Sequence, residues 1–180
     1  MDGVRILEWL APAVPAEAVD WDEVYRQEMP RVFNYFRYRG FERATAEDLT
    51  SATFEKAWRA RDRYRRSRAA VSTWLLAIAR NAAIDHLRRS HAAVPLEQTL
   101  LRDQETPETR ALRDADSRRL RELLAGLPER ERELLALKYG AGATNRAIAK
   151  ITGLGESNVG TILHRTIDGL RTRWDEGEAQ

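Results

Sequence analysis

The chain of 180 residues is 43% hydrophobic and 32% charged, enough apolar material for packed cores, so wholesale disorder is excluded. It has no cysteine, and its histidines (His86, His91 and His164) show no i, i+3 or i+4 pairing; disulfides and thiolate or paired-histidine metal sites are excluded, and no cofactor is expected. The net charge of +2 conceals one basic segment: residues 56–91 carry 10 basic and 2 acidic side chains, against 6 and 11 in residues 1–55, 3 and 6 in 92–116, and 11 and 9 in 117–180, a concentration that fits either a polyanion site or a solvated arginine-rich face.

Residues 1–10 carry one arginine with Asp2 and Glu8, a poor secretory leader, and no run of about 18 apolar residues follows; a cytoplasmic protein with no membrane insertion is expected. Ile6, Leu7, Trp9 and Leu10 make either a short apolar helix or a frayed end. Trp21, Val24, Tyr25, Val32, Phe33 and Phe36 recur at helical spacing, with Pro30 expected to kink or break the helix. A second helix is expected from Thr45 as N-cap, with Glu47 and Asp48 in its first turn, through Leu49, Phe54 and Trp58. Asp48, Ser51, Ala52 and Glu55 share one mixed, mildly acidic face of it, better suited to a protein partner than to DNA. After the arginine-rich run 61–68, a third helix is expected from Ser72 or Thr73, carrying Trp74, Leu75, Ile78, Ala82 and Leu87 and ending near Arg88 and Arg89.

Pro95 and Pro107 punctuate an acidic stretch without apolar period, read as a flexible linker. Beyond it Leu120, Leu123, Leu124 and Leu127 form one apolar face. Pro128 suits the first turn of the next helix, which holds Leu134, Leu135 and Tyr139 and stops at Gly140. Two capped helices close the chain. The first starts at Thr144, with Ile148 and Ile151 inward, and turns at Gly153-Leu154-Gly155. The second is capped by Ser157, with Val159, Ile162, Leu163, Ile167, Leu170 and Trp174 inward. No strand pattern or repeat period is evident. The expected fold is all-α: an extension (1–20), a helical bundle (21–91), a flexible linker (92–116) and a second small helical domain (117–176).

Thr144 to Arg165 has the parts of a helix-turn-helix, whose second helix lies in the major groove. Its candidate duplex contacts are Thr144, Ser157, Asn158, Gly160, Thr161, His164 and Arg165. Asn158 offers a donor and an acceptor to an adenine edge, and Arg165 suits a phosphate. The competing reading is a helical hairpin that serves stability alone. The basic run surrounds Tyr64 with Arg61, Arg63, Arg65, Arg66 and Ser67, beside a helix carrying Arg80, Asn81 and Asp85. Positive charge with an aromatic platform suits single-stranded DNA, and the polar side chains suit the edge of an extruded base. Tyr64 is the expected stacking ring, and Trp58 and Trp74 are expected in the core.

In this order the pieces resemble the extracytoplasmic-function sigma factors of bacterial RNA polymerase. Residues 45–58 look like region 2.2, and residues 74–89, WLLAIARNAAIDHLRR, closely match the promoter −10 helix. Residues 127–133, LPERERE, resemble the family's LP-x-x-x-R-E segment that opens region 4, and the helix-turn-helix resembles the reader of the −35 element. The resemblance spans Trp21 to Trp174 and implies a promoter-reading subunit, not an enzyme. It implies core polymerase as a partner, through the clamp coiled coil (Asp48, Ser51, Ala52 and Glu55) and the flap, with promoter DNA as a second. The non-template −10 strand falls to the Tyr64 loop with Arg80, Asn81, Asp85, Arg88 and Arg89, and −35 duplex to the second domain. It also implies an anti-sigma factor as regulator. The sequence departs from the family at Ser51 and Ala52, where Gln and an acidic residue are usual, at Ala147, where Glu is usual, and at Gly160, where a basic residue is common. The alternatives are a conventional helix-turn-helix regulator acting without polymerase, and an adaptor or enzyme. No phosphate-cradling glycine loop or nucleophile–base arrangement supports the last.

Overall fold

Residues 19–93, 119–120 and 122–178 are described by the computed structural model. The apolar N-terminal segment, and the linker beyond Ala93, lie outside the described residues. Helix α1 spans Trp21–Tyr38 and is capped by Asp20, whose carboxylate accepts from the Asp22 and Glu23 N–H groups at 3.1 Å. Of the kink or break expected at Pro30, no break occurs: the helix runs through it. Pro30 lies on the exposed side, and so does Arg26, whose carbonyl loses its helical donor there and faces water.

Helix α2 spans Arg43–Ala60, two residues earlier than the Thr45 cap predicts; Glu42 holds the cap position without a side-chain bond, and Arg43 reaches Glu47 at 2.9 Å. Buried Thr50 and Thr53 return their hydroxyls to the carbonyls four residues back, so α2 packs polar side chains without orphaning them. Helix α3 spans Val71–Ala93, longer at both ends than expected, since neither proline nor glycine interrupts it.

In the second unit residues 119–120 and 122–125 are helical. Leu127 is buried while Leu120 is 46% exposed, so the predicted four-leucine face closes only at its later members. Pro128 caps α4 (Glu129–Leu135) rather than opening it. A π-helical segment, Ala136–Gly140, follows, marked by the Ala141 N–H bond to the Ala136 carbonyl at 3.0 Å. Tyr139, in this wider turn, is 54% exposed. Helix α5 spans Asn145–Thr152 and α6 spans Glu156–Glu178.

Val32, Tyr35 and Phe36 of α1, Leu49 of α2 and Leu76 and Ala79 of α3 belong to the same buried cluster as Leu134, Leu137, Ile148, Val159 and Leu163. The two helical units therefore share one core. Each fully buried large side chain contributes about 1.5–3 kcal/mol through loss of water contact. Polar bonds border the junction. Arg31 donates from Nε to the Ala141 carbonyl at 2.8 Å, and Arg39, almost fully buried, pairs with Glu129. Arg80 pairs with Glu133 through Nε to Oε1 at 3.0 Å and Nη2 to Oε2 at 3.4 Å.

Candidate nucleic-acid interface

The first candidate surface begins where α2 ends. Residues Arg61–Arg63 form one turn of 3₁₀ helix, and Tyr64 turns extended. Tyr64 does not stand free: its ring packs against Trp21 (centroids 6.0 Å apart) and Trp74 (5.2 Å), with Trp21 and Trp74 themselves 6.0 Å apart. Its hydroxyl donates to the Ala69 carbonyl at 2.9 Å, closing the loop across its base. Burial raises the Tyr64 pKa, and nearby Arg66 opposes that shift. Tyr64 is thus an anchor rather than the open platform expected of it. The open platform is Trp58, expected in the core but 54% exposed, with the Arg61 guanidinium 4.2 Å over its ring. Sequence spacing places Trp58 on the same helical face as Phe54, but α2 ends two residues later, and among the described residues about half of the side chain is left uncovered.

Between the anchors, Arg63, Arg65, Arg66, Ser67 and Arg68 are exposed. Arg65 donates to the Asp62 carbonyl at 2.7 Å, and the Arg68 N–H to the Arg65 carbonyl at 2.9 Å, so the loop is internally bonded. On α3, Asn81, Asp85, Arg88 and Arg89 are exposed along one face, at steps of four, three and one residues, and Arg89 donates to the Asp85 carbonyl at 3.2 Å. Asn81 sits about 15 Å along the helix from Val71. Arg80 is not part of this face. It turns to Glu133, half-buried, and no local sequence signal foretells a partner 53 positions away. The α2 face is as expected in geometry: Asp48, Ser51 and Glu55 are exposed and Ala52 half-exposed, with Glu55 paired to Arg59 and the Ser51 hydroxyl bonded to the Glu47 carbonyl.

The second candidate surface is the helix-turn-helix. The Thr144 hydroxyl accepts from the Ala147 N–H at 3.1 Å, which caps α5 without help from a glutamate. Gly153 ends α5 in the left-handed region (φ 77°), its N–H on the Ala149 carbonyl at 2.9 Å, a conformation any side chain would strain. Ile148, Ile151, Val159 and Leu163 are buried between α5 and α6. Ser157 is not the cap of α6: the helix begins at Glu156, which reaches back to Arg146 at 3.5 Å. Ser157, Asn158, Thr161, His164 and Arg165 are exposed, Thr144 is exposed at the start of α5, and His164 Nε2 lies 3.2 Å from Asp168. Gly160 is half-buried and faces α5, where a Cβ would meet the Asn145 amide at 3.5 Å. It belongs to the helix crossing rather than to the exposed row.

The family model for Sigma-70 region 2 matches residues 24–92, and that for Sigma-70, region 4 matches residues 117–167. The chain is 28% identical over 173 residues to the ECF RNA polymerase sigma factor BldN of Streptomyces coelicolor, covering 94% of this chain and 66% of that protein. It is 30% identical over 152 residues to the RNA polymerase sigma factor YlaC of Bacillus subtilis, covering 80% of this chain and 86% of that one. In fold it is similar to the sigma factor RpoE from Bartonella quintana, solved in complex with the anti-sigma factor NepR (TM-score 0.69, 19% identity, 85% of this chain and 95% of that chain covered).

Proposed function

The chain belongs to the sigma-70 family of RNA polymerase sigma factors, in its extracytoplasmic-function group, and from that membership we propose how its two surfaces divide the work of starting transcription. Residues 21–91 dock on the clamp coiled coil of core polymerase through Asp48, Ser51, Ala52 and Glu55. They hold the unpaired −10 strand along the 61–68 loop and the row of Asn81, Asp85, Arg88 and Arg89, with Trp58 as the stacking ring. Residues 117–176 place the start of α6 in the major groove of the −35 element. There Asn158 and Ser157 face base edges, and Arg165 and Thr144 face phosphates. Polymerase supplies the chemistry, so the chain needs no nucleophile of its own, and its work lies in the cytoplasm, where polymerase is.

The observation that carries this reading is the exposed Asn81–Asp85–Arg88–Arg89 row on α3, the helix that follows the exposed arginine loop. A row of donors and cations on a rigid helix, in a unit that also exposes an aromatic ring, suits an unpaired strand. The similarity to a sigma factor solved with an anti-sigma protein supports an anti-sigma partner for this chain too. A helix-turn-helix regulator acting alone is not favoured, because both sigma regions are matched and such a regulator leaves the first unit without a task.

The test is reconstitution. Added to core polymerase on genomic templates, the chain is expected to produce transcripts with discrete 5′ ends. An active core that gains no start sites refutes the proposal.

A further inference from the structure

The rings of Trp21, Tyr25, Phe54 and Trp58 line a cleft of about 240 Å³ between the start of α1 and the end of α2, with buried Ala57 and Leu75 also in its lining. Tyr25 packs edge-on to Phe54, centroids 4.8 Å apart, yet Tyr25 and Trp58 are 51% and 54% exposed. Met29, one turn beyond Tyr25 on α1, extends the exposed apolar strip. Covering such a strip with apolar groups is favourable. The cleft is smaller than the roughly 300–1,000 Å³ of small-molecule sites, so it suits one or two apolar side chains better than a cofactor. Charges of both signs stand beside it: Asp22, exposed in the first turn of α1, and Arg61, whose guanidinium lies 4.2 Å over the Trp58 ring.

Residues 5–10, RILEWL, lie outside the described residues and match this surface in composition. Ile6, Leu7, Trp9 and Leu10 are apolar, Arg5 complements Asp22, and Glu8 complements Arg61. Leu10 precedes Val19, the first described residue, by nine positions, a tether that reaches about 30 Å when extended. The cleft lies along the first two turns of α1, with Trp21 and Tyr25 only about 6 Å apart along the axis, so the tether is long enough. Pro12 and Pro15 within it oppose its prolonging α1 as helix. A tether this short holds the segment at an effective concentration on the order of millimolar, well above that of a second copy in dilute solution.

We propose that residues 6–10 dock in this cleft of their own chain and cover Tyr25 and Trp58. The consequence rests on the reading of Trp58 as the stacking ring: segment and unpaired strand compete for one surface, and the strand must displace the segment. A segment seated most of the time lowers the apparent strand affinity by the fraction of open chains it leaves.

The experiment uses the full chain with and without Leu7→Asp and Leu10→Asp together, which set two carboxylates against the apolar lining. Because the chain has no native cysteine, Val4→Cys takes a single nitroxide label in each background. The 15N NMR signals of the indole N–H groups then report proximity, with Trp174, near the end of α6, as the reference. The expected result is loss of the Trp58 signal with the native segment and its return in the aspartate variant, with Trp174 alike in both. In holoenzyme, the variant is expected to bind the fluorescent non-template −10 strand of a promoter mapped by reconstitution at least about threefold more tightly. Equal Trp58 signals in the two backgrounds overturn the docking. So does loss of the Trp58 signal in unlabelled 15N chain mixed with nitroxide-labelled chain, which assigns the cleft to a second copy. Docking with no gain in strand affinity overturns the competition. If neither protein starts transcription at any promoter, the initiation-factor reading falls instead, and the indole signals still decide whether the segment docks.

Discussion

Tyr35 offers a test in which removing a polar atom adds stability. Its ring is fully buried, and its hydroxyl has no hydrogen-bond partner among the described residues. An unpaired buried hydroxyl costs about 1–3 kcal/mol in lost hydration. Tyr35→Phe removes that cost and leaves a void of about 10 Å³, worth about 0.2 kcal/mol against the variant. The net gain is about 0.8–2.8 kcal/mol, or roughly 2–11 °C in Tm for a chain of this size. Urea unfolding at neutral pH measures it.

The pH dependence gives a second reading from the same variant. Burial raises the Tyr35 pKa well above its ordinary value of 10.0. The unfolded chain therefore loses this proton first, and wild-type stability falls as pH rises past about 10, by about 1.4 kcal/mol per pH unit. The phenylalanine variant has no such slope, so its advantage is constant below pH 10 and widens above it. A variant less stable than wild type by 1 kcal/mol or more at neutral pH refutes the reasoning, because it means the hydroxyl is hydrogen-bonded in solution.

Three other substitutions address the binding surfaces and the turn. Asn81→Ala is expected to reduce open-complex formation at least about tenfold, read by permanganate footprinting, while core binding in a pull-down is unchanged; equal loss of core binding contradicts its role. Arg165→Ala is expected to lower −35 duplex affinity on all sequences alike and to flatten the plot of log K against log salt by about 0.9, as loss of one phosphate contact does. A loss confined to one sequence makes it a base reader instead. Gly153→Ala is expected to cost about 1–2 kcal/mol, because alanine must take the left-handed conformation found there, and thermal unfolding checks it.

Much of the architecture can be read from local pattern. The Thr144 cap and the Gly153 turn fall where sequence places them, because both depend on residue types with strong local preferences. The inward faces of α5 and α6 follow from apolar period for the same reason. What escapes the sequence is set by tertiary context. Pro30 is tolerated because its side of α1 faces water, and the Thr45 cap is passed over for a start at Arg43. The π turn at Ala136–Gly140 is likewise invisible to a reading built on a 3.6-residue period. Among the site residues, the exposed rows on α3 and α6 follow from helical spacing. The roles of Arg80, Tyr64 and Trp58 do not, since each depends on what packs nearby: Glu133 on the first, two tryptophans on the second, and among the described residues the Arg61 guanidinium over the half-exposed ring of the third.

The three-ring cluster of Trp21, Tyr64 and Trp74 joins the start of α1, the middle of the chain's most basic stretch and the start of α3. With both feet of the arginine loop pinned during folding, its conformational entropy is largely lost before any DNA arrives. Only the side chains of the arch between Arg65 and Arg68 still have to be ordered, at about 0.5–1.5 kcal/mol each. The loop resembles a strung bow more than a loose tether: loosening a tryptophan at its foot would weaken strand capture without removing one positive charge.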